Sequence, residues 1–509
     1  MTIATENAAT IAIVMLAFGI LAWGYNRAKP FGKLGILAWL QSVVLMAPWL
    51  LFFGLFAIGI YLNLAGILFL IVASAGLYIY LGKQLRAAGQ DEILQQRAAK
   101  LLAEKQQEEE QMREQKADKF SSLPDSALAD SANARTPEMM RMPLEDLKQI
   151  QGIFGIDTFF ATETIPYQEG VIFKGNLRGE LEASYQHLSA SLQERMGDRY
   201  RLFFIANPEE KPVVIILPKS SEPQPATIAQ KVLSVVLFIA TIATTLETGG
   251  LFFGFDFFNN PSRFTEILPI ALGIWLILLT HEIAHQVLAK RHNVRLSWPF
   301  FIPTWQIGSF GAFNRFESLL PNRQVLFDVA FAGPAAGGLV SLAMLLIGLI
   351  LSHEGSFFEI PSDFFQGSIL VGTLSKVVLG NALQQPVVDV HPLMIMGWLG
   401  LVINAINLMP AGQLDGGRIM QAIYGRKIAG RATLATILVL GLASFVNPLA
   451  LYWAVVILIL QRSLERPCLN DLKETDDARA ALGLLALFLM LATLLPLTPG
   501  LAGRLGIGS

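Results

Sequence analysis

His281-Glu282-Ile283-Ala284-His285 closes an apolar run, Ile267 to Thr280, that carries no charge. Histidines four residues apart share one face of a helix, so both ring nitrogens reach one ion. Glu282, beside the first histidine, can take a proton from the water that such an ion activates. H-E-x-x-H in this setting is the zinc-hydrolase pattern. The plainer reading is two polar turns at a helix end. It is disfavoured because ionisable residues within a membrane are costly and usually functional. The motif therefore places a metal centre inside a membrane helix.

Composition agrees with that setting. Of 509 residues, 53% are hydrophobic and 15% charged, against about 25% charged in soluble domains. Several uncharged runs approach the ~20 residues that span a bilayer. The expected fold class is mainly α: a polytopic helical membrane protein with a small α+β soluble domain inserted before its core. Net charge is -2, so nucleic acid is not an expected partner. Cys468 is the single cysteine, which excludes an internal disulfide and a multi-cysteine zinc site. Any zinc must use histidine and carboxylate.

Outward from the motif, the chain divides into five expected regions. Residues 1–82 hold about three membrane helices: Ala8 to Tyr25, then two within the uncharged stretch Gly35 to Leu81, broken near Gly59 to Asn63. Glu6 precedes the first and Arg27 and Lys29 follow it, the reverse of a cleavable signal. Residues 83–142 combine a Gln-, Glu- and Lys-rich helix up to Lys119 with a linker from Ser121 to Pro137. Residues 143–220 read as the small α+β domain, with helices at Leu144 to Phe154 and Gly179 to Gly197. Its strands are expected at Thr158–Thr164, Gly170–Lys174, Tyr200–Ile205 and Pro212–Leu217. Gly175-Asn176-Leu177-Arg178-Gly179 reads as a strand-to-helix turn more readily than as an anion site. Residues 228–466 form the membrane core, and residues 467–509 a last helix, Ala480 to Leu497, and a tail.

Within the core, Leu296 to Asn322 is apolar but interrupted by Pro299, Pro303 and Gly308. Gly308-Ser309-Phe310-Gly311-Ala312-Phe313 alternates small and aromatic residues, which suggests a re-entrant, partly β-like segment covered by protein. Gly333-Pro334-Ala335-Ala336-Gly337-Gly338, inside the span Val325 to Leu351, permits close backbone approach. Further spans are expected at Val232–Gly249, Phe264–Ala289, Pro392–Leu408, Ala429–Phe445 and Pro448–Leu460, for about ten in all. Basic residues flanking these spans, including Lys290, Arg291, Arg418 and Arg426, fall on one side. The net-acidic loop Ser352 to Val390 falls on the other. That arrangement puts the soluble domain, the His281 motif and Asp415 toward the same face.

A catalytic zinc needs a third protein ligand and an open position. His187 lies in the soluble domain, His353 and His391 fall on the opposite face, and His292 is two turns beyond His285. Three carboxylates are left: Asp415, Glu317 and Asp328. Asp415 follows a helix break at Pro410 and precedes Gly416-Gly417. At this point it reads equally as a ligand and as a turn residue.

H-E-x-x-H followed far downstream by N-x-x-P-x-x-x-x-D-G (Asn407, Pro410, Asp415, Gly416) resembles the site-2 proteases, the intramembrane zinc metalloproteases. The EGY type of plant plastids and cyanobacteria is the most similar, sharing the run Gly175 to Gly179 and Gly380-Asn381-Ala382-Leu383. The resemblance covers about Pro143 to Arg466. It implies Zn2+ held by His281, His285 and Asp415, Glu282 as the base, and Asn407 near the substrate. It implies a transmembrane protein substrate within the lipid bilayer, in a cyanobacterial plasma or thylakoid membrane or a plastid membrane. A helical substrate must unwind, and the Gly308, Phe310 and Gly311 edge could hold it extended by strand addition. A surface-acting zincin with membrane anchors would need a Glu ligand in a soluble domain after the motif, and none follows. A metal-ion transporter would show ionisable residues in several spans or an inverted repeat, and neither is seen. A catalytically idle chaperone or scaffold is the class that only an activity assay separates. Substrate identity and oligomeric state are not contained in the sequence.

Overall fold

The computed structural model describes residues 24–29 and 32–57 and scattered positions between 70 and 85. From 142 to 507 it describes all but 168, 208, 305, 306 and 462. The expected helix Ala8 to Tyr25, the break at Gly59 to Asn63 and the charged helix and linker fall almost wholly outside these residues. The chain forms two compact units. One comprises residues 1–137 and 437–460, the other residues 138–436 and 461–509.

In the first unit, α1 (Gly32–Ala57) is one apolar helix carrying Pro48. Gln41 Nε2 donates to the Tyr78 carbonyl at 3.3 Å.

The second unit begins with the small domain. It contains α2 (Leu144–Gln151), β1 (Phe159–Tyr167), β2 (Gly170–Leu177), α3 (Leu181–Met196), β3 (Tyr200–Ala206) and β4 (Pro212–Pro218). The strands form an antiparallel sheet in the order β1-β2-β4-β3. Alternating residues of the strands meet one face of α3, and Phe159, Phe173, Phe204, Leu188 and Ile216 form the core. Gly175 lies in β2, where a Cβ would stand 2.1 Å from the Phe160 carbonyl oxygen. Arg178 and Gly179 then turn the chain by donating their amides to Thr158 O. Glu180 caps α3 by accepting from the amides of Glu182 and Ala183, which satisfies donors that an anion would otherwise need.

The membrane core follows. Its long helices are α4 (Ile228–Phe252), α5 (Phe264–Arg291) and α6 (Arg323–Leu351). Between α5 and α6 lies a hairpin, β5 (Phe300–Thr304) and β6 (Gly308–Phe313). Threonines on α4 face it: Thr244 Oγ1 donates to Gly308 O at 2.6 Å. The backbone of β6 is thus covered by protein, as irregular backbone within a membrane protein's core requires. Phe301 and Ala312 of the hairpin share a core with Ile270, Ile274 and Trp275 of α5.

The remaining elements are β7 (Phe358–Pro361), α7 (Ile369–Leu379), β8 (Val387–Val390), α8 (Pro392–Asn407), α9 (Asp415–Ala443), α10 (Pro448–Val456), α11 (Asp477–Leu494) and α12 (Pro499–Leu505), of which α10 and the end of α9 from residue 437 belong to the first unit. The acidic loop Ser352 to Val390 is therefore a folded cap. β7 and β8 pair, and Phe365, Val371 and Leu383 pack with Trp398, Leu497 and Ile507. The span Asp415–Ala443 is two helices joined at Gly425, whose φ of 77° and ψ of 172° are non-helical; the second holds the expected helix at Ala429, and the first, opening on Asp415, is additional.

Among the described residues four helices are long and apolar enough to cross a membrane: Ile228–Phe252, Pro261–Arg291, Arg323–Leu351 and Asp477–Leu494. Shorter apolar helices, such as Pro392–Asn407, accompany them. The expected ten spans include three in residues 1–82, of which only part is described. The apolar segment 392–408 forms a helix of 16 residues that ends at Asn407, short of a full crossing.

Candidate metal centre

α5 is a single helix of 28 residues, and it presents His281, Glu282 and His285 as buried residues near its end. Facing them, α6 supplies a notch. A Cβ at Gly333 would stand 2.2 Å from His285 Nε2, and one at Gly337 would stand 3.1 Å from the His281 Cβ. The glycines anticipated for close approach thus receive the two histidines themselves. α8 ends at Asn407, residues 408–414 reverse the chain, and α9 opens on Asp415. A Cβ at Gly416 would lie 1.8 Å from Leu408 O, so only glycine lets the chain turn back this tightly.

His281, His285 and Asp415, all buried, converge within 4.8 Å of one another. Nε2 of His281 is 3.0 Å from Nε2 of His285. Asp415 Oδ2 is 3.2 Å from the first ring nitrogen and 3.3 Å from the second. The outer ring nitrogens decide the tautomers. His285 Nδ1 faces the Val329 carbonyl at 2.7 Å, and His281 Nδ1 faces Asn404 Oδ1 at 2.8 Å. The Asn404 amide is oriented by its own nitrogen, which donates to Gly400 O at 2.8 Å. Both protons therefore sit on Nδ1, and both Nε2 atoms turn lone pairs toward a carboxylate oxygen.

Three converged lone pairs repel unless a cation lies among them. Donors ~2.0–2.1 Å from a tetrahedral zinc ion stand ~3.3 Å apart, close to the spacing found. The donor set, two neutral imidazoles and one carboxylate with outer hydrogen bonds on each ring, suits zinc.

Glu282 is set beside this group. Its Oε2 accepts from Asn314 Nδ2 at 2.8 Å, and its Oε1 is 3.9 Å from His281 Nε2. The rival carboxylates are engaged elsewhere. Asp328 pairs with Arg479 at 2.7 Å and faces His292 at 3.3 Å. Glu317 accepts from the Ala226 amide at 2.8 Å.

Asn407 Nδ2 donates to Phe310 O at 3.2 Å and to Ile403 O at 3.0 Å. Gly311, with φ 94°, packs against the same side chain; a Cβ there would stand 2.3 Å from Asn407 Nδ2. Gly308, with φ 81°, lies against Thr245. Phe310 is only 2% exposed, so its ring fills the core and its carbonyl oxygen is taken by Asn407. Four residues not anticipated from the sequence join the site: Asn404, Asn314, Arg418 and Glu465. Arg418 alone carried a local signal, since it follows Asp415-Gly416-Gly417.

The fold and site define a class: a helical membrane protein with a His-His-carboxylate metal centre at the end of a buried helix, beside a small α+β domain. Comparisons place the chain within that class. Residues 269–447 match peptidase family M50, and residues 148–225 match the EGY3 middle domain. The chain is 39% identical over 372 residues to the probable zinc metalloprotease EGY2, chloroplastic, of Arabidopsis thaliana, covering 70% of this chain and 66% of that one. It is 38% identical over 401 residues to EGY1 of the same plant, covering 71% and 73%. It is 34% identical over 381 residues to EGY3, covering 70% and 66%. The chain spans about two thirds of the length of these curated relatives. No solved structure matches it. The chain belongs to peptidase family M50, in its EGY group of zinc metalloproteases.

Proposed function

We propose that this protein is an intramembrane zinc endopeptidase that cleaves transmembrane segments of other membrane proteins. The observation that carries the reading is the convergence of His281, His285 and Asp415 at 3.0–3.3 Å inside a membrane helix bundle. His281, His285 and Asp415 would hold the zinc. Bound there, zinc supplies a Lewis acid that lowers the pKa of a water and polarises the scissile carbonyl.

The chain's own residues do the rest. Glu282 takes the proton of the attacking water on Oε1 while Asn314 holds Oε2. It then returns that proton to the amide nitrogen as the C–N bond breaks. Asn404 and Val329 O fix the imidazole rings in the tautomer that coordinates. A substrate helix must unwind before its carbonyl is exposed. β6, anchored to Asn407 through Phe310 O, is the strand against which an unwound segment would pair.

By likeness to the chloroplastic relatives, the working membrane is a plastid membrane or a cyanobacterial plasma or thylakoid membrane. The domain boundaries follow the same reading: membrane helices in 1–82, a charged segment in 83–142, the soluble domain in 143–220, the protease core in 228–466 and a closing helix in 467–509.

The test is Glu282→Gln. Because Glu282 stands beside the donors without being one, the variant should keep parental zinc content and lose cleavage of a membrane substrate. Undiminished hydrolysis at equal zinc content would remove Glu282 from the role.

A further inference from the structure

Among the buried charged groups outside the donor set, one pair reaches Glu282 through Asn314. Arg418 and Glu465 form an ion pair at 3.1 Å with side chains 2% and 7% exposed. Burying two charges costs more than their attraction returns unless every remaining hydrogen-bonding group is also satisfied. Here the groups are satisfied, and in one direction. Arg418 Nε donates to Glu465 Oε2 at 3.1 Å. Its far edge clamps Asn314: Nη2 donates to the backbone oxygen at 2.6 Å and Nη1 to Oδ1 at 3.3 Å. The guanidinium lies over the Phe316 ring at 4.8 Å. With Oδ1 occupied as an acceptor, the Asn314 amide has one orientation, and its nitrogen must point at Glu282.

Glu465 is itself held from behind. Its backbone oxygen accepts from Gln421 Nε2 at 3.2 Å and from Arg426. The segment that follows runs as a strap. Leu469 and Asn470 donate to Leu320 O and Pro321 O just ahead of α6. Leu469 O accepts from Phe204, and Asp471 donates to Phe204 O, along the free edge of β3. The position of Glu465 is therefore set by the core and by the small domain together.

We infer that Arg418 and Glu465 are positioning residues for the base, fixing Asn314 and through it the Glu282 carboxylate. The inference rests on the zinc endopeptidase reading above. Neither residue touches the donor atoms. Their loss should slow the chemical step while leaving metal and substrate binding in place.

The test uses the full chain in detergent. Glu465→Gln keeps the shape of the side chain and removes the charge. Arg418→Lys keeps the charge and removes the fork. Cleavage is followed with a quenched-fluorescent peptide bearing an apolar segment with a central Pro-Gly. A second readout, on zinc-free protein, is labelling of Glu282 by carbodiimide and glycine ethyl ester, read by mass spectrometry. We expect kcat to fall about 10- to 100-fold with KM and zinc content close to parental, and the melting temperature to fall more in Glu465→Gln, which leaves the guanidinium without its counter-charge, than in Arg418→Lys. Labelling of Glu282 should rise several-fold, and Glu465→Asp should recover part of kcat. Unchanged kcat and unchanged labelling in Arg418→Lys and Glu465→Gln overturn the assignment. So does loss of zinc or of thermal stability in both variants with no separate loss of kcat, because the pair is then a plain structural support. A parent chain that binds no zinc or cleaves nothing overturns the zinc endopeptidase reading instead. The labelling of Glu282 then still decides whether Arg418 and Glu465 hold that carboxylate.

Discussion

At the scale of single residues, the centre depends on what each donor would lose. Asp415 is the one carboxylate among the three donors, and it offsets part of the charge of a divalent ion in a low-dielectric site. Asp415→Asn should therefore lose zinc by more than the about 10- to 100-fold that outer-sphere changes cost. Glu317→Gln and Asp328→Asn should keep it, since those carboxylates bond to Ala226 and Arg479. Equal zinc in Asp415→Asn and parent, measured by elemental analysis after dialysis, would unseat the assignment. Gly333→Ala is the corresponding steric test. Its added methyl would lie 2.2 Å from His285 Nε2 and 2.7 Å from His281 Cδ2, so both rings must shift and zinc should be lost. Retained zinc would mean that α6 yields by more than close packing normally allows.

At the scale of elements, sidedness follows from helix order. α4, α5 and α6, each long and apolar enough to cross a membrane, lie between the small domain and the folded cap at 352–390, so the two are expected on opposite sides. Cys468 is buried, and burial pushes its thiol well above the usual range, so the parent should stay silent to an impermeant maleimide. Cysteines placed at exposed Glu163 and Glu354 should label from opposite sides of a sealed vesicle. Labelling from one side would remove an odd number of the three spans. The reasons some elements were visible beforehand are also local. The small domain alternates apolar residues with period two and is punctuated by Asn207 to Lys211, so its strands could be read along the chain. The cap escaped because β7 and β8 are short strands separated by a 3₁₀ turn and α7. Its core draws on Leu497 and Ile507 far downstream. No period along the sequence carries that association.

At the scale of the whole molecule, the same contrast separates the donors from their supports. His281, Glu282 and His285 are read from one helical turn, and Asp415 from a glycine-flanked helix break. Asn404, Asn314 and Glu465 acquire a role only once α8, the hairpin and the strap have packed around α5, and an asparagine in an apolar stretch announces no partner. Zinc should therefore act on the folded core as a whole, because its donors come from helices that are distant in sequence. A ligand that binds only the folded state stabilises it by RT ln(1 + [L]/Kd), ~2.7 kcal/mol at a hundredfold excess over Kd. At roughly 2–4 °C per kcal/mol in domains of this size, chelation should lower the melting temperature of the parent by about 5–10 °C. The comparison has to be made at one scan rate, since unfolding of a membrane protein is commonly irreversible. Asp415→Asn should melt at the same temperature with and without chelator. Asp328→Asn, which loses its Arg479 pair but no donor, should start lower and still respond to zinc. A parent indifferent to chelation would leave two imidazole lone pairs and a carboxylate oxygen converged within 3.3 Å with no cation to hold them, and the zinc reading of this centre would fall.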